Sequence, residues 1–344
     1  VSSKLIKMPQ TKIVKIQAHQ AYGECIQEAV TVLRSGGLVA FPTETVYGLG
    51  ADALNAAAVK KVFEAKGRPS DNPLIVHVAS LEIAWHFISK ISDKGLILAK
   101  RFWPGPLTLV VERKSIVPDI VTAGLETVAI RIPNHPVTLE LLRDFKGGLV
   151  GPSANTSGRP SPTSADHVYH DLNGKVDMIL DAGPTVIGVE STVVDVTVDP
   201  PVILRTGGLN REDIEIEIGR TRRTNAQELL RRSPGTRHRH YAPRASVYLI
   251  PQNNQEAFEQ QLMRLKRGGN KVGAITFSDD LNVLEATRFH LVLSSSVQRY
   301  AQNIFRALRE LDSLEVDCIV VESVAENGIG AAVMDRLMKA AQHG

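Results

Sequence analysis

The run Ala65-Lys66-Gly67-Arg68-Pro69-Ser70-Asp71-Asn72-Pro73-Leu74-Ile75-Val76-His77 decides how this chain is read. Before it, Val59, Val62 and Phe63 recur on one face of a helix expected over 56–65. After it, 74–78 reads as a short buried strand. Between helix and strand stand two cations separated by one glycine, and the strand itself carries a histidine. One lysine at a helix end merely complements the helix dipole. Lys-Gly-Arg-Pro is less ordinary, because glycine permits close backbone approach and an arginine fork can hold two phosphate oxygens. His77 alone reads more readily as a satisfied core histidine than as a catalyst.

Working outward, a helix is expected over 21–33, stopped by Ser35-Gly36-Gly37. A strand at 38–41 is broken by Pro42. Further strands are expected at 107–111, 127–132, 148–151 and 178–180, and 192–198 with 202–204 reads as a hairpin around Asp199-Pro200-Pro201. Without a steady βαβ beat, this half predicts a twisted, mixed α/β sheet. The second half is regular: strands at 246–250, 271–276, 290–293 and 318–321 alternate with helices at 255–266, 297–311 and 331–341. That pattern predicts a smaller open parallel (Rossmann-like) α/β domain. It contains no glycine fingerprint for a dinucleotide. Between the halves, residues 220–244 hold eight arginines against one acid, Glu228. The reading is a basic linker, either a solvated tether or a strap over an anionic ligand. The expected division is 21–210, a linker over 211–244, and 245–344.

Two domains suit 344 residues. A formal charge of +3 is too small to argue for general nucleic-acid or membrane binding. Cys25 and Cys318 stand alone, which excludes a disulfide framework or a cysteine-rich zinc site and fits a reducing compartment. No apolar run approaches a membrane span, and no signal peptide is apparent, so the expected location is cytoplasmic.

Other polar groups close apolar runs. Pro42-Thr43-Glu44-Thr45-Val46-Tyr47-Gly48-Leu49-Gly50 is a stiff turn whose hydroxyls could hold a small polar molecule or only cap local backbone. Arg131 sits between Ile130 and Ile132, and a buried arginine requires a carboxylate from the protein or from a ligand. Pro152-Ser153-Ala154-Asn155 opens a loop of small residues with room for a phosphate. Glu190-Ser191-Thr192 and Leu204-Arg205-Thr206-Gly207-Gly208 place a hydroxyl and an arginine at strand ends. No catalytic triad, zinc motif or Walker lysine competes with these groups.

In order, PTETVYGLG, AKGRPSDNPLIVH, RFWPGPLTLV, AGLETVAIRIP, GPSANTSGRPSPT, GVESTVVD, LRTGG and HRHYAP resemble the threonylcarbamoyl-AMP synthase family, whose catalytic domain is YrdC-like. The resemblance is dense over 21–210, and the linker with its second domain is similar to the longer branch. It implies that L-threonine, bicarbonate and ATP give threonylcarbamoyl-adenylate and pyrophosphate. A downstream transferase system would then carry the group to tRNA beside the anticodon, with a weak tRNA contact by this protein in view. By the same resemblance, Lys66 and Arg68 are the catalytic cations. Lys66, Arg68, Thr127, Ser153, Asn155, Ser161, Arg205 and Tyr241 serve ATP, while Thr43, His77, Arg131 and Ser191 serve threonine. Mg²⁺ is implied on the phosphates, with no metal ligand from the protein. The chain departs from the family's usual pattern at Gly151, at Thr206 and over 236–238. Hydrogenase-maturation carbamoyl-transfer enzymes share the YrdC-like domain, but their cysteine-rich zinc modules are missing here.

Overall fold

A computed structural model describes residues 10–16, 23–223, 241–277, 287–293 and 296–341. Residues 224–240, and with them 236–238 and most of the arginine-rich run, lie outside the described residues.

The first half builds one twelve-stranded mixed sheet. From one edge its order is Lys12–Lys15, Met178–Asp181, Val39–Phe41, Gly48–Asp52, Leu149–Val150, Ile75–His77, Thr127–Arg131, Leu107–Arg113, Thr192–Asp195, Val202–Arg205 and Arg222–Arg223. Ile88–Lys90 pairs alongside Leu107–Arg113. The second half is a four-stranded parallel sheet ordered Ser246–Ile250, Cys318–Glu322, Val272–Thr276, His290–Val292. Both match the fold class expected from the sequence. Thr192–Asp195 and Val202–Arg205 form the anticipated antiparallel hairpin.

Two elements depart from the sequence reading. The turn expected through Gly50 is shorter, because Gly48–Asp52 is a strand beside Val39–Phe41. Its glycines answer to Phe41: a Cβ at either Gly48 or Gly50 would come within 2.9 Å of that ring. The stretch expected to be linker begins as a helix, Arg211–Ile218, whose Ile214 and Ile218 join the main core. Arg222–Arg223 then pairs as an edge strand with Val202 and Ile203.

The helix before the cationic turn is well bounded. Asn55 caps its start by accepting from the Ala57 and Ala58 amides. Gly67, at φ 60°, ends it in the left-handed conformation. The Arg68 amide then returns to the Phe63 carbonyl at 2.9 Å, a Schellman-type closure that turns Arg68 away from the helix axis. A Cβ at Gly67 would touch nothing, so the requirement there is conformational.

The halves are packed against each other. Val46, Val189 and Tyr241 share one apolar cluster with Tyr300, Ile304 and Phe305 of helix Val297–Ser313. At Gly188 a Cβ would lie 2.3 Å from the Gln302 Cα, so backbone meets backbone across the contact. Among the described residues no helix is long and apolar enough to cross a membrane.

Candidate active site

Strand pairing assembles one wall of a cavity. Ile75–His77 and Thr127–Arg131 run parallel with His77 opposite Arg131, so the two polar residues end adjacent strands side by side. Ser153 is held against Gly48 by an isolated bridge, and the Ala154 amide donates to the Tyr47 carbonyl. Across the gap, Ser191 precedes strand Thr192–Asp195 and Arg205 closes Val202–Arg205. Tyr241, from the stretch that joins the halves, completes the lining. These elements surround a cavity that opens to solvent.

Nine of the residues singled out in the sequence line this cavity: Arg68, His77, Arg131, Ser153, Asn155, Ser161, Ser191, Arg205 and Tyr241. Three do not. Thr43 spends its hydroxyl locally, donating to the Val46 carbonyl and accepting from the Thr45 and Val46 amides. The local-capping alternative is therefore realised at Thr43, whose neighbour Thr45 faces Arg131 instead. Thr127 stands at the opposite end of its strand from Arg131, paired across to Glu112. Lys66 is buried behind the wall. Its ammonium donates to the Ser153 carbonyl at 2.5 Å and the Asn155 carbonyl at 2.7 Å, pinning the small-residue loop.

The carboxylate required by buried Arg131 comes from the protein. Nη2 lies 2.8 Å from Glu44 Oε1, an ion pair without hydrogen-bond alignment. Nη1 donates to Thr45 Oγ1 at 3.0 Å and Nε to the Gly105 carbonyl at 3.2 Å. Arg68 and Arg205 rest on neutral oxygens: Arg68 on the Asn72 and Pro73 carbonyls, Arg205 on the Ser191 carbonyl and hydroxyl. Buried Arg68 Nε has no partner among the described residues.

The electrostatics follow from enclosure. Burial, then the Arg68 charge, pulls Lys66 well below its usual value. Arg68 falls to about 10, burial being the largest cause. His77 is driven well down by burial and then by Arg131, so its imidazole is neutral. Its Nδ1 is buried with no partner among the described residues. Gly151 permits that placement, since a Cβ there would sit 2.5 Å from His77 Nδ1. Tyr241 is raised to about 12, chiefly by burial. Four guanidinium groups against one carboxylate, Glu190, line the space. Such a cavity suits a polyanion.

Residues not anticipated from the sequence complete the frame. Glu190 accepts from Ser161 Oγ at 2.5 Å and pairs with Arg336 at 2.8 Å. Arg159 joins Asp171 at 2.9 Å and Asp312 at 3.2 Å, and Arg309 reaches Asp171 at 2.8 Å. The glutamate lies within the GVESTVVD block. Its arginine partner, Arg336, comes from a distant helix, which no local pattern reveals. Among the described residues no group of three or more His, Cys, Asp or Glu side chains could hold a metal ion.

Comparison with known proteins agrees across the chain. A family profile described as "Telomere recombination" (Sua5, YciO, YrdC) matches residues 31–207. A second, "Threonylcarbamoyl-AMP synthase, C-terminal domain", matches residues 209–342. The threonylcarbamoyl-AMP synthase of Pyrococcus abyssi is 48% identical over 322 residues, covering 92% of this chain and 93% of that protein. That of Bacillus subtilis is 46% identical over 324 residues, with 92% of each covered. A crystal structure of P. abyssi Sua5 complexed with L-threonine superposes with a TM-score of 0.91 at 45% identity, covering 97% of this chain and 98% of the other. With both halves matched at this level, the chain belongs to the threonylcarbamoyl-AMP synthase family of nucleotidyltransferase enzymes.

Proposed function

We propose that this protein joins L-threonine, bicarbonate (or CO2) and ATP into threonylcarbamoyl-AMP, releasing pyrophosphate. The observation that carries the reading is the pair Arg68 and Arg205, facing one cavity while resting on neutral oxygens. Guanidinium groups held this way are positioned for phosphate oxygens. Threonine, which the Pyrococcus relative binds, is assigned to the His77–Arg131 end. There the unpartnered His77 Nδ1 can accept a hydrogen bond.

The chemistry asks for little more than placement. Threonine's amine and bicarbonate give an N-carboxylate and water (from CO2, the N-carboxylate and a proton), and the N-carboxylate oxygen attacks the α-phosphorus while the bond to pyrophosphate breaks. Charge accumulates on phosphate oxygens, so fixed cations and donors lower the barrier without a covalent nucleophile. Arg68 and Arg205 supply that charge, with Tyr241, at the end of the linker, closing the cavity beside the second half. Lys66 contributes through the Ser153–Asn155 loop it pins. Arg131, held by Glu44 and Thr45, is oriented for the amino-acid carboxylate. Mg²⁺, when bound with ATP, would neutralise the phosphates through phosphate oxygens and water. The adenylate would pass to a transferase system that modifies tRNA beside the anticodon, in the cytoplasm.

The test is pyrophosphate release by the pure protein with ATP, threonine and bicarbonate, each omitted in turn. Release should require all three. Release that ignores threonine would overturn the reading.

A further inference from the structure

We propose that Arg336, on the last helix (Ile329–Ala341) of the second half, is a positioning residue for the catalytic cavity, acting by holding Glu190 away from Arg205. This inference rests on the functional reading above.

Arg336 is 1% exposed and does not line the cavity. Its Nε donates to Glu190 Oε2 at 2.8 Å, Nη2 to the Thr206 carbonyl at 2.9 Å and Nη1 to Asp335 Oδ2 at 2.6 Å. Its guanidinium also lies 5.2 Å from the Tyr241 ring centroid. The other Glu190 oxygen receives the Ser161 hydroxyl. A single side chain from the second half thus touches Glu190, the Tyr241 ring and the backbone beside Arg205. Glu190 and Tyr241 line the cavity, and Thr206 directly follows Arg205, which lines it too.

The consequence is electrostatic. Glu190 is the one carboxylate among the cavity-lining residues. Burial alone would raise it, but the Arg336 charge and then that of Arg205 outweigh burial, so it is held ionised. Arg205 meanwhile stays on the Ser191 carbonyl and hydroxyl. Removing Arg336 leaves a buried anion whose remaining cation is Arg205, and an uncompensated buried charge draws what partner it can. Arg205 would turn toward Glu190, and the positive charge meant for phosphate would be cancelled inside the cavity. The second half therefore contributes to ATP binding without a side chain of that helix reaching the ligand.

The experiment compares Arg336→Leu, Arg336→Lys, Glu190→Gln and the double variant Glu190→Gln/Arg336→Leu. ATP and threonine are varied separately in the pyrophosphate assay, and thermal unfolding is recorded alongside. Arg336→Leu should raise the KM for ATP about tenfold or more while the KM for threonine moves less than about twofold, because it leaves an unpaired buried charge beside Arg205 alone. Arg336→Lys keeps a cation on Glu190 but loses the fork, so it should recover part of the defect. In the Glu190→Gln background, Arg336→Leu should cost less than about a further threefold, the signature of residues acting through one another. A folded Arg336→Leu protein with an unchanged KM for ATP would overturn the proposal, as would equal losses for both substrates or fully multiplicative effects in the double variant. Should Arg336→Leu not fold, Arg336→Lys decides: its KM for ATP must rise severalfold, and wild-type values refute the idea. Wild-type protein that releases no pyrophosphate would instead sink the functional reading itself.

Discussion

Replacing Arg68 by methionine should abolish ATP handling while leaving the fold as stable as before, or slightly more so. Arg68 is pulled from its ordinary 12.5 down to about 10, mainly because its guanidinium is enclosed. At about 1.4 kcal/mol per unit, the charged form carries a penalty of about 3 kcal/mol. Discounting for the surface the residue still shows to water leaves about 2 kcal/mol. Against this stand hydrogen bonds of 3.3 and 3.2 Å to the Asn72 and Pro73 carbonyls, long enough to return only about 1 kcal/mol together. Methionine, of similar length and uncharged, should therefore be neutral or stabilising by about 1 kcal/mol. The assay is thermal unfolding with and without Mg·ATP, beside pyrophosphate release. Wild-type protein at a hundredfold excess over Kd should gain about 2.7 kcal/mol from the nucleotide, and the variant essentially none. A variant destabilised by more than about 2 kcal/mol, or one that keeps the ATP-induced shift, would show that Arg68 is a structural cation and refute this account of the cavity.

Other substitutions separate framework from ligand contact. Lys66→Met strips donors from the Ser153 and Asn155 carbonyls and should cost about 2–4 kcal/mol of stability in chemical denaturation as well as most of the activity. Arg131→Met alone leaves Glu44 buried without its cation and should cost about 3–5 kcal/mol. The Glu44→Gln/Arg131→Met pair should recover much of that stability yet keep a raised KM for threonine. Thr45→Val, which removes a support of Arg131, should weaken threonine binding more than substitution of Thr127, which does not line the cavity, as titration calorimetry would show. The pH dependence has a definite sign. His77 and His135 are depressed chiefly by burial, and His167 is depressed to about 4 for the same leading cause. The unfolded chain thus takes up protons at these positions near pH 6.5 that the folded protein refuses. Stability should fall as pH drops from 6.5 toward about 4, by about 1.4 kcal/mol per unit for His167, with losses of the same sign from His77 and His135. His167→Gln should flatten that slope by one proton, and an unchanged slope would refute the assignment.

Much of this was legible in the sequence because the site hangs on strand ends. Where an apolar run stops at Arg131 or Arg205, a polar residue must face something other than core, and the cavity is what it faces. Periodicity revealed the alternating second half: its central strands, Val272–Thr276 and Cys318–Glu322, are buried on both faces, and helix Gln255–Arg267 on one. Three kinds of fact stayed hidden. Thr43 and Thr45 are two residues apart with the same chemistry, and only the fold of the turn decides which hydroxyl meets Arg131. Strand Gly48–Asp52 contains two glycines demanded by Phe41 on the neighbouring strand, a tertiary reason that reads locally as a loop. The ion pair Glu190–Arg336 spans 146 positions, and no sequence window joins its ends.

The shared apolar cluster between the halves bears on how the gene could be cut. Val46 and Val189 are now packed in one cluster with Tyr300, Ile304 and Phe305, so a chain ending after the first sheet would present those side chains to water beside the open cavity. Exposed patches of that kind invite self-association. A shortened version of this enzyme would thus need its outer coat rewritten with polar residues before it could circulate as a lone module.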